Sequence, residues 1–537
     1  MKIHTSSTTQ TAESKRFPTN RLVQLLLLCV LTFIAISQFV YYYQNGLGLA
    51  YNDARSHLDI ARRVVEGLKP GAAQLGSVWL PLPHIAMLPT VWNDFFWHSG
   101  LAGALPSMLS FVVIGLLIFH YLRVLRVGLL GRAVGVFIFV ANVNILYLQS
   151  TAMTELLLIA TMLAATFELL LYVVSNFHIR HLVQMSFFIM LATLTRYDGW
   201  FLCAYIFVQI IIILILSRRV KQVEGTALMY CTLAGFGIVL WLGWNLLIFK
   251  DPLYFAFGPF SAHAQQTQLS QAGVLVTKEN WIESIRVYTY ALLYNSNTYL
   301  VILSSIGSLV LWFDKKVPLV IRIATTALIA PLLFNILALY MGHSVLFIQG
   351  VSGGTWFNAR YGIMLHASVA IFIGYLIHKF KDYRPMLIGT ILFVLFFQFV
   401  SADAVTIDDA RVGSSQKNVS EVSGYLRDKA TNTKGFILIS AASHDAIIFS
   451  SGLPMKRFIH EGTGVYWDTA TRYPDRWARW IVVRTYDDND LTWRSIKKSP
   501  AISLYKKVAS FPFADVYELD DRYLQNLNTE PILKNSK

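Results

Sequence analysis

Long apolar runs separated by short polar connections dominate residues 22–401 of this sequence. A membrane-spanning helix needs about 20 mainly apolar residues, and the chain supplies about eleven such runs. The predicted spans are 22–43, 103–122, 132–149, 154–175, 182–195, 200–217, 226–248, 297–312, 318–340, 361–379 and 385–401. The first run is too long for the core of a signal peptide, so it is interpreted as a retained anchor. The pattern predicts a polytopic α-helical membrane protein.

The connection after the first span, residues 44–100, is long and polar for a membrane loop. It begins with the charged stretch Tyr51-Asn-Asp-Ala-Arg-Ser-His57, which is predicted to be partly helical. Further on, residues 80–98 combine apolar and Trp residues with several prolines, a pattern that predicts an interfacial or re-entrant helix. A polar loop held against the bilayer in this way is a candidate functional site.

Beyond residue 401 the charge rises and the long apolar runs stop. Residues 415–430 are predicted as a helix with a polar face, 435–440 and 480–486 as buried strands, and 502–519 as a hairpin. The size of this region is normal for an independent folded unit. The predicted divisions of the chain are an N-terminal tail (1–21), a transmembrane domain (22–401) and a C-terminal α/β domain (402–537).

Lys and Arg clusters determine the predicted orientation, because they fall in alternate connections between spans as the positive-inside rule describes. The clusters are Arg16/Arg21, Arg123/Arg126/Arg132, Arg180, Arg218/Arg219/Lys221, Lys315/Lys316/Arg322 and Lys379/Lys381/Arg384. With these clusters in the cytoplasm, the N-terminus is predicted to be cytoplasmic and the α/β domain extracytoplasmic. The predicted location of the protein is the plasma (inner) membrane. The first loop is an exception to the rule, because it carries Arg55, Arg62, Arg63 and Lys69.

Composition supports the membrane assignment. Hydrophobic residues make up 55% of the chain and charged residues 14%, against about 25% charged residues in soluble domains. The net charge of +14 is scattered among loops, whereas nucleic-acid binding needs basic side chains gathered on one face. Cys29, Cys203 and Cys231 all lie in apolar runs, which argues against a disulfide framework.

Motifs for metals and nucleotides give little support for a cofactor. The sequence contains no HExxH, CxxC or P-loop motif. Asp488-Asn-Asp490 spells the DxD that holds a metal in some soluble sugar-nucleotide transferases. Here it belongs to an acidic turn after a predicted strand, so it is interpreted as a solvated turn. We therefore predict no cofactor and no metal ligand; a divalent metal is compatible with the sequence but not indicated by it.

Ionisable residues at the ends of the predicted spans are the candidates for function. Such groups are costly at membrane depth and usually face a cavity or a partner. On the predicted topology the following lie on the outer side: Asp53, His57, Glu155, Arg196, Asp198 and Arg360. Structural explanations compete with functional ones. Glu155 could cap its helix, and Arg360 could extend to lipid headgroups. Arg196 and Asp198 could form a local turn pair.

Asp53 is the strongest of these candidates. It precedes a predicted helix near the membrane interface and has Arg and His neighbours in the sequence. His57 lies one helical turn further on, on the same face, although a single His is more often structural than catalytic.

Several of these segments together resemble the GT-C membrane glycosyltransferases, which use polyprenyl-phosphate-linked sugars. The resemblance is greatest to the branch of bacterial protein O-mannosyltransferases and aminoarabinose transferases, and it covers roughly residues 20–400. The segments that carry it are Asn52-Asp-Ala-Arg-Ser-His57, Gly76-Ser-Val-Trp-Leu-Pro-Leu-Pro83, Thr154-Glu155, Arg196-Tyr-Asp-Gly199 and Asn358-Ala-Arg-Tyr-Gly362. The C-terminal domain matches no particular family.

The resemblance implies residue roles. Asp53 corresponds to the first-loop carboxylate that acts as general base on the acceptor, and Arg360, with Arg196, to the basic groups that hold the lipid phosphate. The chain departs from many relatives in having Asn52-Asp53 in place of two adjacent acids. This concentrates the base role on Asp53 and weakens any argument for a metal held by a carboxylate pair.

These residue types suit the chemistry of glycosyl transfer. Transfer of a sugar from a phosphate-linked donor needs a base for the acceptor hydroxyl and positive charge for the leaving phosphate. The fork of an arginine side chain matches phosphate oxygens. The candidate catalytic residues are Asp53, His57 and Glu155. The candidate substrate-binding residues are Arg55, Trp79, Arg196, Asp198, Asn358, Arg360 and Tyr361.

The predicted function is that of a membrane glycosyltransferase. Its partners are a polyprenyl-phosphate sugar donor, a glycan, lipid or protein acceptor, and membrane lipids, but not nucleic acid. Three alternatives remain open. One is a lipid-linked oligosaccharide polymerase or ligase, and another is a polytopic transporter or flippase. The third is a membrane-anchored assembly protein that acts through residues 402–537.

Overall fold

The computed structural model of the protein describes residues 21–258, 261–271, 273–401, 403–412 and 416–531. Apart from Arg21, the predicted N-terminal tail lies outside these residues. In the described part of the chain, a bundle of apolar helices is followed by a small α/β domain. This confirms the predicted fold class.

Eight helical segments in the described residues are long and apolar enough to cross a membrane. They are Arg21–Gln44, Leu101–Val124, Glu155–Val174, Asp198–Leu216, Val220–Phe249, Leu319–Tyr340, Ala359–Lys379 and Arg384–Val412. A ninth span results if the helices Trp281–Ser296 and Thr298–Phe313, which meet at an angle of 106°, are counted as one. Each of the eight segments corresponds to a predicted apolar run, whereas the predicted span 297–312 covers only the second helix of the bent pair.

Two predicted spans fall on shorter helices. Residues 132–149 form the helices Leu129–Val140 and Val143–Leu148, and residues 182–195 lie in the helix Ile179–Thr193. The predicted count of about eleven spans therefore stays a prediction.

The spans differ strongly in how much of their surface the protein covers. Over an apolar stretch of 18 residues, 89% of the residues are buried in Ala359–Lys379 and 72% in Glu155–Val174, but only 11% in Arg21–Gln44 and 18% in Arg384–Val412. The well-covered helices form the centre of the bundle, and the exposed apolar helices lie at its periphery. The charged residues Glu155 and Arg360 thus belong to the two most enclosed helical segments.

The connections carry further short helices. The first loop contains Asn52–Val65, the 3-10 turn Ala72–Leu75, Leu82–Val91 and Asp94–His98. The last two of these helices lie within residues 80–98, and their location at the membrane interface stays a prediction. Between Phe249 and Trp281 lie Tyr254–Phe257 and Ala262–Gln271.

The helix Asn52–Val65, here called the first-loop helix, packs against Leu82–Val91 and also against Ala441–Ser451 of the C-terminal domain. Ala54, Leu58 and Ala61 recur at helical spacing and are fully buried, which explains why this polar sequence is held in place. Asp53 lies in the first turn, where a carboxylate is favoured by the helix dipole.

The C-terminal domain contains a five-stranded sheet in the order β2-β1-β3-β5-β4. The strands are β1 (Phe436–Ile439), β2 (Phe458–Ile459), β3 (Ala478–Val483), β4 (Tyr505–Ser510) and β5 (Asp515–Leu519). β1 pairs in parallel with β2 and β3, and β5 pairs antiparallel with β3 and β4. The two predicted buried strands and the predicted hairpin are present. The two-residue β2 has no alternating pattern long enough to predict it.

Helices flank this sheet and connect it to the bundle. They are Val405–Val412, Gln416–Ala430, Ala441–Ser451, Val465–Arg472, Pro474–Trp477 and Leu491–Ile496.

The C-terminal domain rests on the first loop. Arg63 of the first-loop helix forms a buried ion pair with Asp445. The side chain of Gln74 donates a hydrogen bond to the Gly462 carbonyl at 2.7 Å. The domain therefore packs directly on the helix that carries Asp53.

Candidate active site at one end of the membrane bundle

Arg360 is held at the start of an enclosed helical segment. Asn358 has a left-handed backbone, with φ of 54°, and its side-chain amide donates to the Val345 carbonyl at 2.9 Å. Asn295 donates to the Ala359 carbonyl at 2.7 Å. The 3-10 helix Ala359–Leu365 begins directly after this bend, so Arg360 is fixed by its backbone as well as by its side chain.

Gly362 allows this helix to approach its neighbour. A Cβ atom at this position would lie 2.2 Å from the Ala291 carbonyl oxygen and 2.4 Å from its carbonyl carbon. Only a residue without a side chain fits such a contact with backbone. The glycine in the sequence Asn358-Ala-Arg-Tyr-Gly362 is therefore part of what positions Arg360.

Replacing Gly362 by Ala is expected to destabilise the protein by about 1–3 kcal/mol, because overpacking against backbone forces a shift. A matched control is Gly354→Ala, since Gly354 has open space around it and ordinary backbone angles. Thermal unfolding in detergent measures both variants, and the control is expected to change stability by less than about 0.5 kcal/mol. Equal stability of Gly362→Ala and wild type would contradict this packing.

The guanidinium of Arg360 faces carboxylates on three sides. Its Nε donates to Glu155 Oε1 at 3.0 Å, and its Nη2 donates to Asp53 Oδ2 at 2.6 Å. Nη1 lies 3.8 Å from Asp409 Oδ2. Arg360 thus joins the first loop, the start of the helix at Glu155 and the helix Val405–Val412.

Arg196 lies on the other side of Glu155. Its Nη1 is 3.4 Å from Glu155 Oε1, and its Nε is 3.4 Å from Asp198 Oδ2. Burial disfavours the charged form of Arg196, but Tyr361, Asp198 and Glu155 favour it, and the net effect raises the pKa of Arg196. Arg196 therefore remains a cation.

Two tyrosine rings pack on the arginines. The guanidinium carbon of Arg196 lies 4.8 Å from the centre of the Tyr361 ring, and that of Arg360 lies 4.8 Å from the Tyr51 ring. The Tyr51 hydroxyl donates to the Thr406 carbonyl at 2.7 Å and lies 3.1 Å from an oxygen of Asp409. Burial, with the neighbouring Asp409 charge, raises the pKa of Tyr51 well above its ordinary value, so the hydroxyl stays a donor.

These contacts define one group of side chains, here called the carboxylate–arginine cluster. Its members are Asp53, Glu155, Arg196, Asp198, Arg360 and Asp409. Four acids surround two arginines, and most of the group is enclosed. The most exposed member is Asp53, whose side chain is 40% exposed, followed by Arg196, whose side chain is 21% exposed. Among the described residues, Glu155 Oε2 is buried without a hydrogen-bond partner.

His57 lies beside the cluster but is turned into the protein. Its Nδ1 is 2.9 Å from Nε2 of His84, and its ring centre is 4.4 Å from that of Trp79. Burial, together with the positive charges of Arg196 and Arg360, lowers the pKa of His57 to about 3. The two imidazoles are therefore joined by a hydrogen bond in which His57 is neutral.

The segment that carries Trp79 packs on the turn at Arg196. The Tyr197 hydroxyl donates to the Val78 carbonyl at 2.9 Å, and the Leu82 amide donates to the Leu194 carbonyl at 3.0 Å. Separate sequence motifs are thus in contact, and Trp79 covers the side of the site next to His57.

Two of the predicted substrate-binding residues make other contacts. Arg55 donates to the Leu49 carbonyl at 3.0 Å and to Ser450 Oγ at 2.8 Å, so it links the first loop to the C-terminal domain. Asn358 shapes the backbone before Arg360, as described above.

Sequence reasoning missed Asp409 and Tyr51 as members of the site. Asp409 was not among the candidate residues predicted from the sequence, yet its side chain is 3% exposed. The available signal was the helical spacing of Val405, Asp409 and Ala410 directly after the last apolar run, which indicates one buried face. For Tyr51 the signal was its position next to Asn52-Asp53.

Among the described residues, no group of three or more His, Cys, Asp or Glu side chains is arranged to hold a metal ion. The acids of the cluster each face an arginine instead.

Comparison with known proteins gives matches only at the level of structure. No protein-family model and no curated protein matches the sequence. The fold is similar to that of ArnT from Cupriavidus metallidurans bound to undecaprenyl phosphate, with a TM-score of 0.57 and 9% identity, over 94% of this chain and 99% of that one.

A second similar structure is the Archaeoglobus fulgidus oligosaccharyltransferase in complex with Zn and sulfate. Its TM-score is 0.51 and its identity 10%, over 91% of this chain and 72% of that one. At such low identities the likeness concerns the fold. Together with the apolar helices, it shows that this chain is an integral membrane protein with the fold of the GT-C membrane glycosyltransferases.

Proposed function

We propose that this protein transfers a sugar from a polyprenyl-phosphate donor to an acceptor on the outer face of the membrane. The observation that carries the proposal is the contact between Asp53 and Arg360. An exposed carboxylate and an enclosed guanidinium, 2.6 Å apart, combine a base and a phosphate-binding group at one end of the bundle. ArnT, with undecaprenyl phosphate bound, supports a polyprenyl-phosphate ligand for this fold.

Asp53 acts as the general base. It accepts the proton of the acceptor hydroxyl as the oxygen attacks the anomeric carbon of the donor sugar. Its exposure to solvent allows an acceptor to reach it, whereas Glu155 and Asp198 are enclosed. One base is sufficient for a single inverting displacement.

Arg360 and Arg196 bind the donor phosphate and stabilise the charge that develops on it as the bond to the sugar breaks. Glu155 shares one oxygen between the two guanidinium groups, so it acts as a positioning residue. Asp198 orients Arg196 through the ion pair at 3.4 Å. Tyr361 supports the arginine that lies over its ring.

Trp79 lines the acceptor side of the site, and the buried His57 packs against it. The neutral His57–His84 pair holds the first-loop helix against its neighbour, and so holds Asp53 in place. Trp79 offers an aromatic face at which a sugar ring stacks. Asn358 and Arg55 contribute by shaping the backbone before Arg360 and by joining the first loop to the C-terminal domain.

A lipid-linked oligosaccharide ligase is the second candidate, because the fold is also similar to an archaeal oligosaccharyltransferase. A transporter is less well supported. Transport sites are expected near the bilayer midplane, whereas the cluster is built from residues at the ends of helical segments.

Orientation follows from the charge distribution and can be tested by labelling cysteines with a membrane-impermeant reagent. In a variant without Cys29, Cys203 and Cys231, we expect Val276→Cys and Val465→Cys to label from outside intact cells. Both positions are exposed. Val220→Cys, next to the basic residues Arg218 and Arg219, is also exposed and serves as the matched control. It is expected to label only after permeabilisation, and labelling from outside would contradict the orientation.

The proposed function is tested with purified protein in lipid vesicles, labelled polyprenyl-phosphate sugars and host membranes as the source of acceptor. We expect the sugar to move to an acceptor with release of one polyprenyl phosphate per sugar. Transport would instead move the intact lipid-linked sugar between leaflets. A ligase would transfer a preassembled oligosaccharide and leave the single-sugar donor intact.

A further inference from the structure

We propose that Arg360 is a counter-ion shared in turn by Asp53 and by the donor phosphate, so that the base becomes active only when the donor is bound. In the resting site Arg360 pairs with Asp53. The phosphate displaces Asp53 and frees it to accept a proton. This inference rests on the proposed function and adds to it an order of events.

The guanidinium of Arg360 is surrounded by carboxylates in the resting site. Each nitrogen of Arg360 faces a carboxylate oxygen: Nε faces Glu155, Nη2 faces Asp53 and Nη1 faces Asp409. A phosphate binds an arginine through the edges of the same fork. It therefore competes with these carboxylates for the guanidinium.

Asp53 is the partner that can leave. Its side chain is 40% exposed, whereas those of Glu155 and Asp409 are 0% and 3% exposed. Separating a buried carboxylate from its cation is costly, while a partly exposed carboxylate exchanges the ion pair for water. Asp409 is also close to the Tyr51 hydroxyl, at 3.1 Å. Displacement at Nη2 thus costs the least.

The second contribution of Arg360 concerns the oxygen that takes the proton. In the resting site, Oδ2 of Asp53 accepts a hydrogen bond from Arg360 Nη2 at 2.6 Å. This contact holds the carboxylate on the guanidinium and occupies one of the positions at which an acceptor hydroxyl can donate. Release from Arg360 frees that position at the moment when the donor is in place.

The charges around Arg360 balance through the reaction. The acceptor proton moves to an oxygen of Asp53, and the acceptor oxygen bonds to the anomeric carbon. The bond between that carbon and the phosphate oxygen breaks, and its electron pair stays on the phosphate. Asp53 becomes neutral as the phosphodiester, with one negative charge, becomes a monoester whose second pKa is about 6. The total negative charge near Arg360 is conserved.

Binding of polyprenyl phosphate without a sugar tests this exchange, because no turnover is needed. We expect Asp53→Asn to bind undecaprenyl phosphate about three- to tenfold more tightly than wild type, since Asn does not compete as an anion for Arg360. The control is Asp94→Asn, which removes a first-loop carboxylate paired with another arginine, Arg62, at 2.5 Å. It is expected to bind like wild type. Asp53→Ser provides a second uncharged variant if Asp53→Asn does not fold.

Equal or weaker binding by the uncharged Asp53 variants, with normal binding by wild type, would overturn the exchange and leave the proposed function intact. An increase of the same size in the affinity of Asp94→Asn for undecaprenyl phosphate would also overturn it. The effect would then come from the loss of any nearby negative charge and not from Arg360. Failure of the wild-type protein to bind undecaprenyl phosphate would remove the phosphate site, and with it the proposed function.

Discussion

Replacing Asp53 by Asn is expected to lower turnover by about 10²–10⁴-fold, which corresponds to about 3–5 kcal/mol of activation free energy. Asn has the same size and can still accept a hydrogen bond from Arg360 Nη2, but it cannot take the acceptor proton. Folding is therefore expected to be retained. The rate of sugar transfer at saturating donor measures the effect.

Asp94→Asn is again the control, and its turnover is expected to be close to that of wild type. Near-normal turnover of Asp53→Asn would remove Asp53 from the mechanism and make Glu155 and Asp198 the next carboxylates to test. Loss of folded protein would mean that Asp53 serves mainly as an ion-pair partner of Arg360.

Replacing Arg360 by Met is expected to destabilise the protein by about 3–5 kcal/mol, because it leaves the buried Glu155 carboxylate without its nearest cation. The double variant Arg360→Met/Glu155→Gln removes both charges and is expected to recover most of this stability. Thermal unfolding in detergent measures both. Neither variant is expected to bind a polyprenyl phosphate, so the double variant separates the structural role of Arg360 from its role in binding.

Wild-type stability of Arg360→Met would show that Glu155 does not depend on Arg360. Normal donor binding by the double variant would make Arg360 an anchor for lipid headgroups. Arg360→Lys keeps the charge but loses the fork, and it is expected to fold and to bind the donor more weakly.

Much of the fold could be predicted from the sequence, because a long apolar run has few alternatives to a membrane helix. The strands at 436–439 and 478–483 and the hairpin were also predicted from local patterns. The bend of 106° at Asn297 was not predicted, because nothing in the predicted span 297–312 indicates the direction of the helix that precedes it. Such an angle depends on packing between distant segments.

Most members of the carboxylate–arginine cluster could be predicted from their positions in the sequence. Asp53, Glu155, Arg196, Asp198 and Arg360 all lie at the ends of helices, where an ionisable residue needs an explanation. The sequence could not show that one guanidinium joins three of the acids, because the partners are far apart along the chain.

Other parts of the site depend on long-range contacts that leave no local pattern. Asp409 was not predicted as a site residue because its partners, Tyr51 and Arg360, are distant in sequence. Arg55 lies two residues from Asp53, yet its side chain is directed to Ser450 in the C-terminal domain. Proximity in sequence predicted a shared site, but neighbouring residues on a helix point in different directions.

The central claim is that Asp53 is the base and Arg360 the phosphate-binding group of one glycosyl-transfer site. The most direct test is the conversion of labelled polyprenyl-phosphate sugar to polyprenyl phosphate by wild-type protein, Asp53→Asn and Arg360→Lys, measured side by side over a range of donor concentrations. The account predicts that Asp53→Asn loses turnover without weaker donor binding, and that Arg360→Lys requires more donor. Conversion by all three proteins with the same rate and the same donor dependence would contradict it.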